Sequence, residues 1–462
     1  MKKTNFKTKT IDAIEKFFKI KERNTRIKVE ILSGVVSFLA MCYILFVNPS
    51  ILAESSMPYG GAFLATAISA FIGSILMGLF ANLPIGLAPG MGINAFFTYT
   101  LVKSLEFRWQ EALGVSLFAG LVFLLISLTP LRKIIIKAIP KDLKLAIGAG
   151  IGFFVAFIGL KEAKIIVSDP NTLVALGDFT NPAVILAIVG ILLSLILFAR
   201  NVKFNFIISI ISIAVLGTVI NYIYYGVTEK FIEGLPKFRE FNYSKLGEFA
   251  DVFGQGVSAM FTKSFWKLSL IASIVTLVFV DMFDSIGTFM GLTDSLEKDE
   301  NGEIIGARKG LVMDSISTVS GAVLGTSAVT VYIESTAGIK FGGKTGLSAI
   351  VVGLLFGLSI ALFPIFSVFS APAVTTMVLF TVGIMMTTQL KYLDYKNPTI
   401  LAASFTTIIM MLLTFSISNG IAMSFIVYSL MEIVRGRYKK VHPMMYILSV
   451  VFVIYFIVMP LL

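Results

Sequence analysis

Long apolar runs separated by short polar loops recur along the 462 residues of this chain. Many of these runs approach the roughly 20 residues that an α-helix needs to cross the hydrocarbon core of a bilayer. The pattern predicts seven segments in the first half of the chain, at 31–52, 62–81, 86–102, 110–129, 143–161, 182–199 and 204–226. It predicts seven more in the second half, at 267–291, 310–326, 327–341, 345–368, 371–389, 398–415 and 418–434. A further apolar run at 444–462 is long enough to span, and the sequence leaves open whether it crosses the membrane or lies in its interface.

The two halves contain matching fragments, as internal repeats do. FVNPSIL, which contains Asn48, corresponds to FVDMFDS, which contains Asp281. ISAFIGSILMG, from Ile68, likewise corresponds to ISTVSGAVLG, from Ile316. Because each half contains an odd number of spans, the second half must be inverted relative to the first. The predicted fold class is an all-α polytopic membrane protein with about 14 transmembrane segments in two inverted seven-helix repeats, the third and tenth segments being broken.

The organisation of the chain follows from these repeats and from the places where polar residues collect. A basic N-terminal segment is expected in the cytoplasm, and the longest polar interval is expected to form an extracellular connector between the repeats. The predicted boundaries are 1–29 for the N-terminal segment, 30–226 for the first repeat, 227–264 for the connector, 265–434 for the second repeat, and 435–462 for a basic loop and a C-terminal apolar helix.

Composition agrees with a membrane protein, since 56% of the residues are hydrophobic and only 14% are charged. The formal net charge of +11 could indicate a nucleic-acid partner. However, the lysines and arginines collect in short loops between apolar segments, where the positive-inside rule accounts for them. We therefore expect a multi-pass protein of the cell membrane, with a cytoplasmic N-terminus, the lipid bilayer around it and no nucleic-acid partner.

The few reactive side chains exclude several classes of site. Cys42 is the single cysteine and His442 the single histidine, so an internal disulfide and the usual Cys/His zinc site are both excluded. The sequence also lacks a paired metal motif such as H-E-x-x-H. We expect no metal, no cofactor and no enzymatic activity.

Two aspartates interrupt the apolar run that begins the second half. Asp281 and Asp284 are three residues apart in FVDMFDSIGTFMG, so they share one face of the predicted helix. A carboxylate far from the ends of a membrane helix costs roughly 2.5–3.5 kcal/mol on insertion scales, and such residues usually face a cavity and have a function. These aspartates are therefore candidate binding residues.

The third and tenth segments contain helix-breaking residues, which are Gly86, Pro89, Gly90 and Gly92 in the third and Gly325 and Gly338 around the tenth. Broken helices expose backbone N–H groups that can bind a ligand near the middle of the membrane. Each segment also contains one strongly polar residue, Asn94 in the third and Glu334 in the tenth. Asp284 and Glu334 thus form the obvious pair of intramembrane acids.

One motif matches a nucleotide-binding pattern in its residue types but not in its structural context. GIKFGGKT, from Gly338 to Thr345, fits G-x-x-x-x-G-K-[ST], the phosphate-binding loop. That loop requires a preceding buried strand in a soluble parallel sheet, whereas this stretch follows a broken membrane segment and precedes another span. It is better interpreted as a flexible glycine-rich turn, with Lys340 and Lys344 on the cytoplasmic side.

With these residues in view, the chain resembles the AzgA-like purine permeases, a branch of the nucleobase/cation symporter superfamily that has the UraA-type fold. The likeness covers essentially the whole length. The fragments that carry it are FFKIKERNTRIKVEILSG, FVNPSIL, GLAPGMGINAFF, FVDMFDSIGT, ESTAGIKFGGKTGL and MMLLTFSISNGIAMSF. The resemblance implies a core domain, a gate domain and the import of guanine and hypoxanthine, or alternatively adenine, together with a proton. It leaves the oligomeric state open, with a homodimer as one arrangement.

The resemblance also implies roles for particular residues. Asp284 meets the acid-x-x-Gly pattern of the eighth segment, and Glu334 and Asn94 match the binding positions of the tenth and third segments. Asp284 and Glu334 are then candidates for both base binding and proton coupling. Secondary candidates for substrate binding are Asp281, Ser335 and Thr336. Many relatives have more acidic residues after the twelfth span. This chain reads KYLDYKNPT there and has a single acid, Asp394.

The chemistry of the two acids is consistent with this interpretation. A buried carboxylate accepts N–H bonds from a purine edge strongly, since charge-assisted hydrogen bonds are about twice as strong as neutral ones. Removal from water also favours the protonated form, so one acid could orient the base while the other carries a proton. An anion transporter or channel on the same inverted-repeat fold is the alternative, although its broken helices would be expected to contain Arg or Lys.

Overall fold

The computed structural model describes residues 11–129, 138–200, 202, 205–237, 243–266, 269–292, 296–298, 300 and 304–458. Among them, nine helices are long and apolar enough to cross a membrane. The first ten residues of the predicted N-terminal segment and the last four of the C-terminal helix lie outside the described residues.

Long helices form most of the structure, and we number them in chain order. The elements of the first half are α1 (Ile27–Ala53), α2 (Tyr59–Ala81), β1 (Leu87–Pro89), α3 (Met91–Ala95), α4 (Trp109–Leu128), α5 (Lys141–Glu162), β2 (Ile166–Asp169), β3 (Leu173–Leu176), α6 (Pro182–Ala199) and α7 (Asn205–Thr228). The elements of the second half are α8 (Ser269–Leu292), α9 (Ala307–Leu324), β4 (Val329–Val331), α10 (Ser335–Phe341), α11 (Gly346–Val368), α12 (Pro372–Tyr392), α13 (Pro398–Leu413), α14 (Ile417–Val434) and α15 (Pro443–Val458). A π-helix, Phe96–Ser104, continues α3.

Local sequence signals start several of these helices. Asn181 precedes Pro182 at the start of α6, and its side chain accepts a hydrogen bond from the backbone of Ala183. Asn397 precedes Pro398 at the start of α13 and caps that helix in the same way. Asparagine supplies an oxygen for an unpaired N–H, while proline has the backbone angle that the first helical turn requires. The same Asn-Pro signal thus begins both α6 and α13.

The helices pack in two groups. The first contains α1, α2, α3, α4, α8, α9, α10 and α11, and the second contains α5, α6, α7, α12, α13 and α14, with α15 packed along α14. Helices α3 and α8 of the first group also contact α5 of the second. The two interrupted segments therefore lie in the first group, close to the second.

Two short β-strands interrupt the third and tenth segments, as the sequence predicted for a break in each. β1 and β4 pair antiparallel, with Ala88 opposite Thr330. Among the six residues that suggested these breaks, two need correction, because Gly92 lies inside α3 and Gly338 inside α10. At Gly338 an added Cβ would lie 2.1 Å from Ser37 Oγ, so this glycine permits close packing of α10 on α1 rather than breaking a helix.

The glycine-rich turn before α11 is held in place, in contrast to the flexible turn that the sequence predicted. The buried Glu30 of α1 accepts hydrogen bonds from the backbone N–H of Lys344 at 2.9 Å and of Thr345 at 3.2 Å. Arg23 donates to the carbonyl of Lys344 at 2.6 Å. The first part of GIKFGGKT lies in α10 and only Gly342–Thr345 forms the turn. The turn joins the N-terminal segment to the two helices that flank it.

Two features between the long helices were not predicted. Strands β2 and β3 form a hairpin after α5, where Ile166 pairs with Leu176. The connector between α7 and α8 contains short helices, and Glu248 in it accepts a hydrogen bond from the backbone N–H of Gly60 at 2.9 Å. The connector therefore packs on the first residues of α2, at the end of the molecule opposite the start of α1.

Candidate functional site

The crossing of β1 and β4 brings the starts of two short helices together. α3 begins directly after β1, and α10 begins a few residues after β4. The backbone N–H of Gly90 bonds to the carbonyl of Ala328 at 3.0 Å, and that of Tyr332 bonds to the carbonyl of Gly86 at 3.1 Å. The first N–H groups of a helix have no partner within the helix and create a partial positive charge. Both helix starts thus favour polar or negatively charged groups of a ligand.

Asp284 lies on α8 beside this crossing. A Cβ placed on Gly90 would be 3.3 Å from Asp284 Oδ2 and 2.7 Å from Thr330 Cγ2, so only glycine lets β1 approach α8 so closely. The Asp284 side chain is partly exposed and forms no hydrogen bond with another described residue. Its carboxylate oxygens are therefore available to accept hydrogen bonds from a ligand.

Glu334 immediately precedes α10 and is 6% exposed. Its Oε1 accepts a hydrogen bond from the hydroxyl of Tyr43 at 2.6 Å. The ring of Tyr43 lies beside that of Tyr332, whose hydroxyl reaches Pro89, and Asp284 lies beside the adjacent Gly90. The structure thus brings together the two acids that the sequence singled out, although they lie on different elements.

Two tyrosines complete this side of the site. Tyr43 of α1 stacks on Phe206 of α7 with ring centroids 5.8 Å apart, and its ring lies 6.4 Å from that of Tyr332. The hydroxyl of Tyr332 donates to the carbonyl of Pro89 at 2.6 Å. The sequence analysis missed Tyr43. A single tyrosine in an apolar span is as typical of ordinary helix packing as of a binding site, so nothing in the sequence distinguished Tyr43 from its neighbours.

Asn94 is fully buried on α3 and contacts the other interrupted segment. Its side-chain oxygen accepts a hydrogen bond from the hydroxyl of Ser327, just before β4. Its Nδ2 atom has no hydrogen-bond partner among the residues that the structure describes. The amide therefore joins the two broken segments and retains one unused donor.

The two secondary candidates on α10 form contacts within the protein. The hydroxyl of Ser335 accepts a hydrogen bond from the backbone N–H of Gly86 at 3.0 Å, which again joins the two interrupted segments. The hydroxyl of Thr336 donates to the carbonyl of Ile333 at 2.5 Å. Both hydroxyls stabilise the local backbone in this conformation.

Asp281, one helical turn before Asp284, faces a different neighbour. It is 2% exposed, and its Oδ2 lies 3.0 Å from the hydroxyl oxygen of Thr318 on α9. Asp314, also on α9 and fully buried, accepts a hydrogen bond from Ser285 of α8 at 2.5 Å. The two aspartates of α8 thus belong to two different polar clusters. Asp314 was not singled out by the sequence analysis, since α9 contains many polar residues.

Comparison with known proteins identifies the family. The chain matches the permease family Xan_ur_permease over residues 28–417. A putative permease of Methanocaldococcus jannaschii is 38% identical over 96% of this chain and 98% of its own length. The adenine permease AdeP of Escherichia coli is 37% identical over 96% of this chain and 95% of its own. The guanine/hypoxanthine permease PbuG of Bacillus subtilis is 38% identical over 96% of this chain and 99% of its own. This chain belongs to the permease family. The predicted family resemblance is confirmed, and the protein is a membrane transporter rather than an enzyme.

Solved structures of low sequence identity have a similar fold. The transmembrane domain of the cyanobacterial bicarbonate transporter BicA matches 86% of this permease with a TM-score of 0.60 and 15% identity, and 97% of that chain is covered. SLC26A9 matches 93% of this permease with a TM-score of 0.57 and 13% identity, and 70% of that chain is covered. The likeness concerns the fold alone and confirms a polytopic helical membrane protein.

Proposed function

We propose that this permease imports purine nucleobases by proton symport and binds the base between Asp284 and Glu334. Guanine and hypoxanthine are the favoured substrates, and adenine is the alternative. The observation that carries the proposal is the carboxylate of Asp284, which has no hydrogen-bond partner among the described residues and lies near Glu334 where the two interrupted segments cross. The relatives named as adenine and guanine/hypoxanthine permeases support the substrate class.

The chemistry of the two acids favours a base that donates hydrogen bonds. An ionised carboxylate only accepts hydrogen bonds, and it can accept two side by side. Guanine presents adjacent N–H donors on the edge that carries its ring N–H, and hypoxanthine presents one donor at the same ring position. Adenine has an acceptor nitrogen at that position, so it needs a different edge or a protonated acid. Two carboxylates therefore fit guanine and hypoxanthine better than adenine.

The proposed architecture has fourteen segments in two inverted sevens, with a cytoplasmic N-terminus. Three pairs of observations support the internal repeat. Asn48 donates to Thr66 at 2.7 Å, which joins α1 to α2, and Asp281 contacts Thr318, which joins α8 to α9. The antiparallel pairing of β1 with β4 is the arrangement that an inverted repeat would produce. The Asn-Pro signals at α6 and α13 are likewise seven segments apart.

Anion transport, the alternative with the same architecture, is disfavoured by the charges of this site. The solved structures that share the fold include a bicarbonate transporter, but their likeness carries no information about substrate. Here the described side chains at the crossing include two acids, Asp284 and Glu334, beside Tyr43 and Tyr332. Two carboxylates in this position repel an anion, whereas they attract the N–H groups of a neutral base.

Uptake of radiolabelled hypoxanthine tests the substrate class. We expect cells that lack their own purine permeases to accumulate it when they express this protein. Excess unlabelled guanine should compete strongly, adenine should compete more weakly and uracil should not compete. Cells with an empty vector provide the control for diffusion. Stronger competition by adenine than by guanine would reverse the preference, and absence of any purine uptake by correctly inserted protein would contradict the proposal.

Replacing Tyr43 with Phe should weaken purine binding by about tenfold or more, since a hydrogen bond to a charged group contributes roughly 1.5–3 kcal/mol. The hydroxyl of Tyr43 holds Glu334 at 2.6 Å, and without it the carboxylate loses its fixed orientation. The measurement is the dissociation constant of guanine for the purified protein. Tyr446→Phe is the matched control, because among the described residues the hydroxyl of Tyr446 bonds to the carbonyl of the exposed Tyr438. Equal affinity in both variants would show that Tyr43 does not position Glu334 for binding.

A further inference from the structure

We propose that Tyr99 is the gate that closes this permease toward the outside, and that its contacts with the second helix group must break before a base enters from that side. Tyr99 lies on the π-helix that continues α3, the helix of Asn94. The assignment rests on the proposed function for the base that passes the gate, and on the proposed cytoplasmic N-terminus for the side on which the gate lies. Opening requires one helix group to move against the other, as in transporters built from repeats.

The hydroxyl of Tyr99 joins the two helix groups. Its oxygen lies 2.8 Å from Oε1 of Glu54, which directly follows α1, and 3.1 Å from Oε1 of Glu162, the last residue of α5. The π-helix packs with α1, α3 and α4 in the first group, whereas α5 belongs to the second. Tyr99 is 3% exposed, but Glu54 beside it is exposed. The hydroxyl thus closes the boundary between the groups where α1 and α5 end.

The ring of Tyr99 makes a second contact with the other group. It meets the ring of Phe415, in the turn between α13 and α14, edge-on with centroids 5.1 Å apart. Phe415 also packs on Phe154 and Phe157 of α5, with centroids 5.2 Å and 5.8 Å away. Nζ of Lys161 lies 4.4 Å from the centroid of the Phe415 ring and 5.6 Å from that of Tyr99, within the range of cation–π attraction. Tyr99 therefore adds a ring from the first group to an aromatic cluster of the second.

Both sides of this ring contact have irregular backbone. Tyr99 belongs to a π-helix, a rare conformation that occurs frequently at functional sites. Phe415 has a φ of 51°, in the left-handed region that a bulky side chain rarely adopts. Such strain persists where the surrounding structure holds it in place, and it is concentrated at clamps and switch regions. The backbone of each helix group is thus bent locally at the point where Tyr99 and Phe415 meet.

The charges around the hydroxyl indicate a contact that opens readily. A tyrosine hydroxyl has one hydrogen, whereas an ionised carboxylate only accepts hydrogen bonds. Lys103, on the same π-helix, forms an ion pair with Glu54, which compensates that carboxylate within the first group. Glu162 receives its hydrogen bond, among the described residues, from Tyr99. Because one hydrogen serves two acceptors, the bond between the groups is weaker than a full hydrogen bond, as a gate that opens in every transport cycle requires.

The gate lies on the helices that hold the base-binding site. α3 starts at the crossing of β1 and β4, contains Asn94 and continues into the π-helix of Tyr99. α1 contains Tyr43, which bonds to Glu334, and ends directly before Glu54. Both members of the gate in the first group are therefore connected through continuous helix to residues of the site. A movement of the first group carries the site and this half of the gate together.

Cross-linking across the gate tests whether the contact must open. In a Cys42→Ala background, Glu54→Cys and Glu162→Cys can be joined by a short bifunctional thiol reagent whose linker contains a cleavable disulfide. We expect the cross-linked protein to lose hypoxanthine uptake and to recover it when the linker is reduced. Glu54→Cys with Lys103→Cys is the matched control, because Glu54 and Lys103 pair within the first group and their cross-link should leave uptake intact.

Three results of this experiment would overturn the gate. The first is full uptake after complete cross-linking of positions 54 and 162. The second is an equal loss of uptake in the control pair at positions 54 and 103, which would show that the loss does not come from joining the two groups. The third is a failure of positions 54 and 162 to cross-link in the membrane, since the contact would then not form there.

Labelling from outside tests the gate without a substrate. Asp284→Cys in the Cys42→Ala background places a single cysteine at the site, and a membrane-impermeant thiol reagent applied to whole cells reaches it through an open gate. Adding Tyr99→Phe keeps the ring but removes the hydroxyl, so labelling should become roughly threefold faster or more. Adding Glu162→Gln should slow labelling, because the amide can donate to the Tyr99 oxygen and supplies the missing hydrogen.

The opposite directions of these two changes distinguish a gate from a merely structural contact. Tyr395→Phe is the control, because among the described residues its hydroxyl bonds to the carbonyl of Leu390 within the second group, and it should leave the labelling rate unchanged. An unchanged rate in Tyr99→Phe, or a shift in the same direction in Tyr99→Phe and Glu162→Gln, would overturn the proposal. If labelling follows the gate but wild-type protein takes up no purine, the proposed substrate is refuted and the gate stands.

Discussion

Purine uptake by the Asp284→Asn variant is expected to fall at least about a hundredfold, while the protein still reaches the membrane. The amide keeps the size of the carboxylate but presents N–H hydrogens to the N–H groups of the base. The lost bond to a charged acceptor and the unpaired donor together cost on the order of 3–5 kcal/mol. Asp284 forms no hydrogen bond to another described residue, so its substitution should leave the fold intact.

The measurement is the initial rate of labelled guanine uptake, normalised to the amount of protein in the membrane. Asp251→Asn is the matched control, because Asp251 is exposed in the connector, far along the chain from the crossing. The Asp251→Asn variant has the same chemical change as Asp284→Asn, and it should transport guanine normally. Normal uptake by Asp284→Asn would remove this aspartate from the site. If exchange of purine were lost in Asp281→Asn and kept in Asp284→Asn, the base-binding acid would lie one helical turn earlier than proposed.

Purine accumulation in proteoliposomes should follow an inward proton gradient and ignore sodium. Each proton that enters with a neutral base moves one charge through the membrane potential, which is worth about 2.3 kcal/mol per 100 mV. That energy corresponds to roughly fortyfold accumulation of the base. Because a carboxyl group takes up a proton more readily on the acidic side, loading is favoured outside and release is favoured at the more alkaline cytoplasmic face.

Two conditions separate the driving forces. A protonophore should abolish accumulation but leave the exchange of labelled for unlabelled purine unchanged. An inward sodium gradient imposed at equal pH on both sides should produce no accumulation. Uptake that requires sodium and survives the protonophore would refute proton symport, and the oxygen atoms near the strand crossing would then need examination as a sodium site.

Much of the helical framework could be predicted because its signals are local. The predicted sixth segment, 182–199, matches α6 at both ends, since an Asn-Pro cap begins the helix and a charged residue follows it. The hairpin formed by β2 and β3 was missed, since its short mixed pattern differs little from that of a loop. Gly338 was assigned to a break in a helix. A glycine in a membrane segment is equally typical of a close contact between two helices. Its neighbours in α1, Ser33 and Ser37, decide between the two.

The sequence by itself determined the class of the protein and singled out two intramembrane acids as candidates. Apolar runs of membrane-spanning length leave no soluble alternative, and a carboxylate in such a run is costly enough to be a candidate functional residue. Asp284 and Glu334 were identifiable for that reason. The tertiary structure alone decided which groups meet. Tyr43 bonds to Glu334 across 291 positions of sequence, and Asp281 contacts Thr318 of α9. These pairings depend on how β1 crosses β4 and on how α8 packs against α9. The hydropathy of the sequence indicates which side chains are buried, but not the direction in which a buried side chain points.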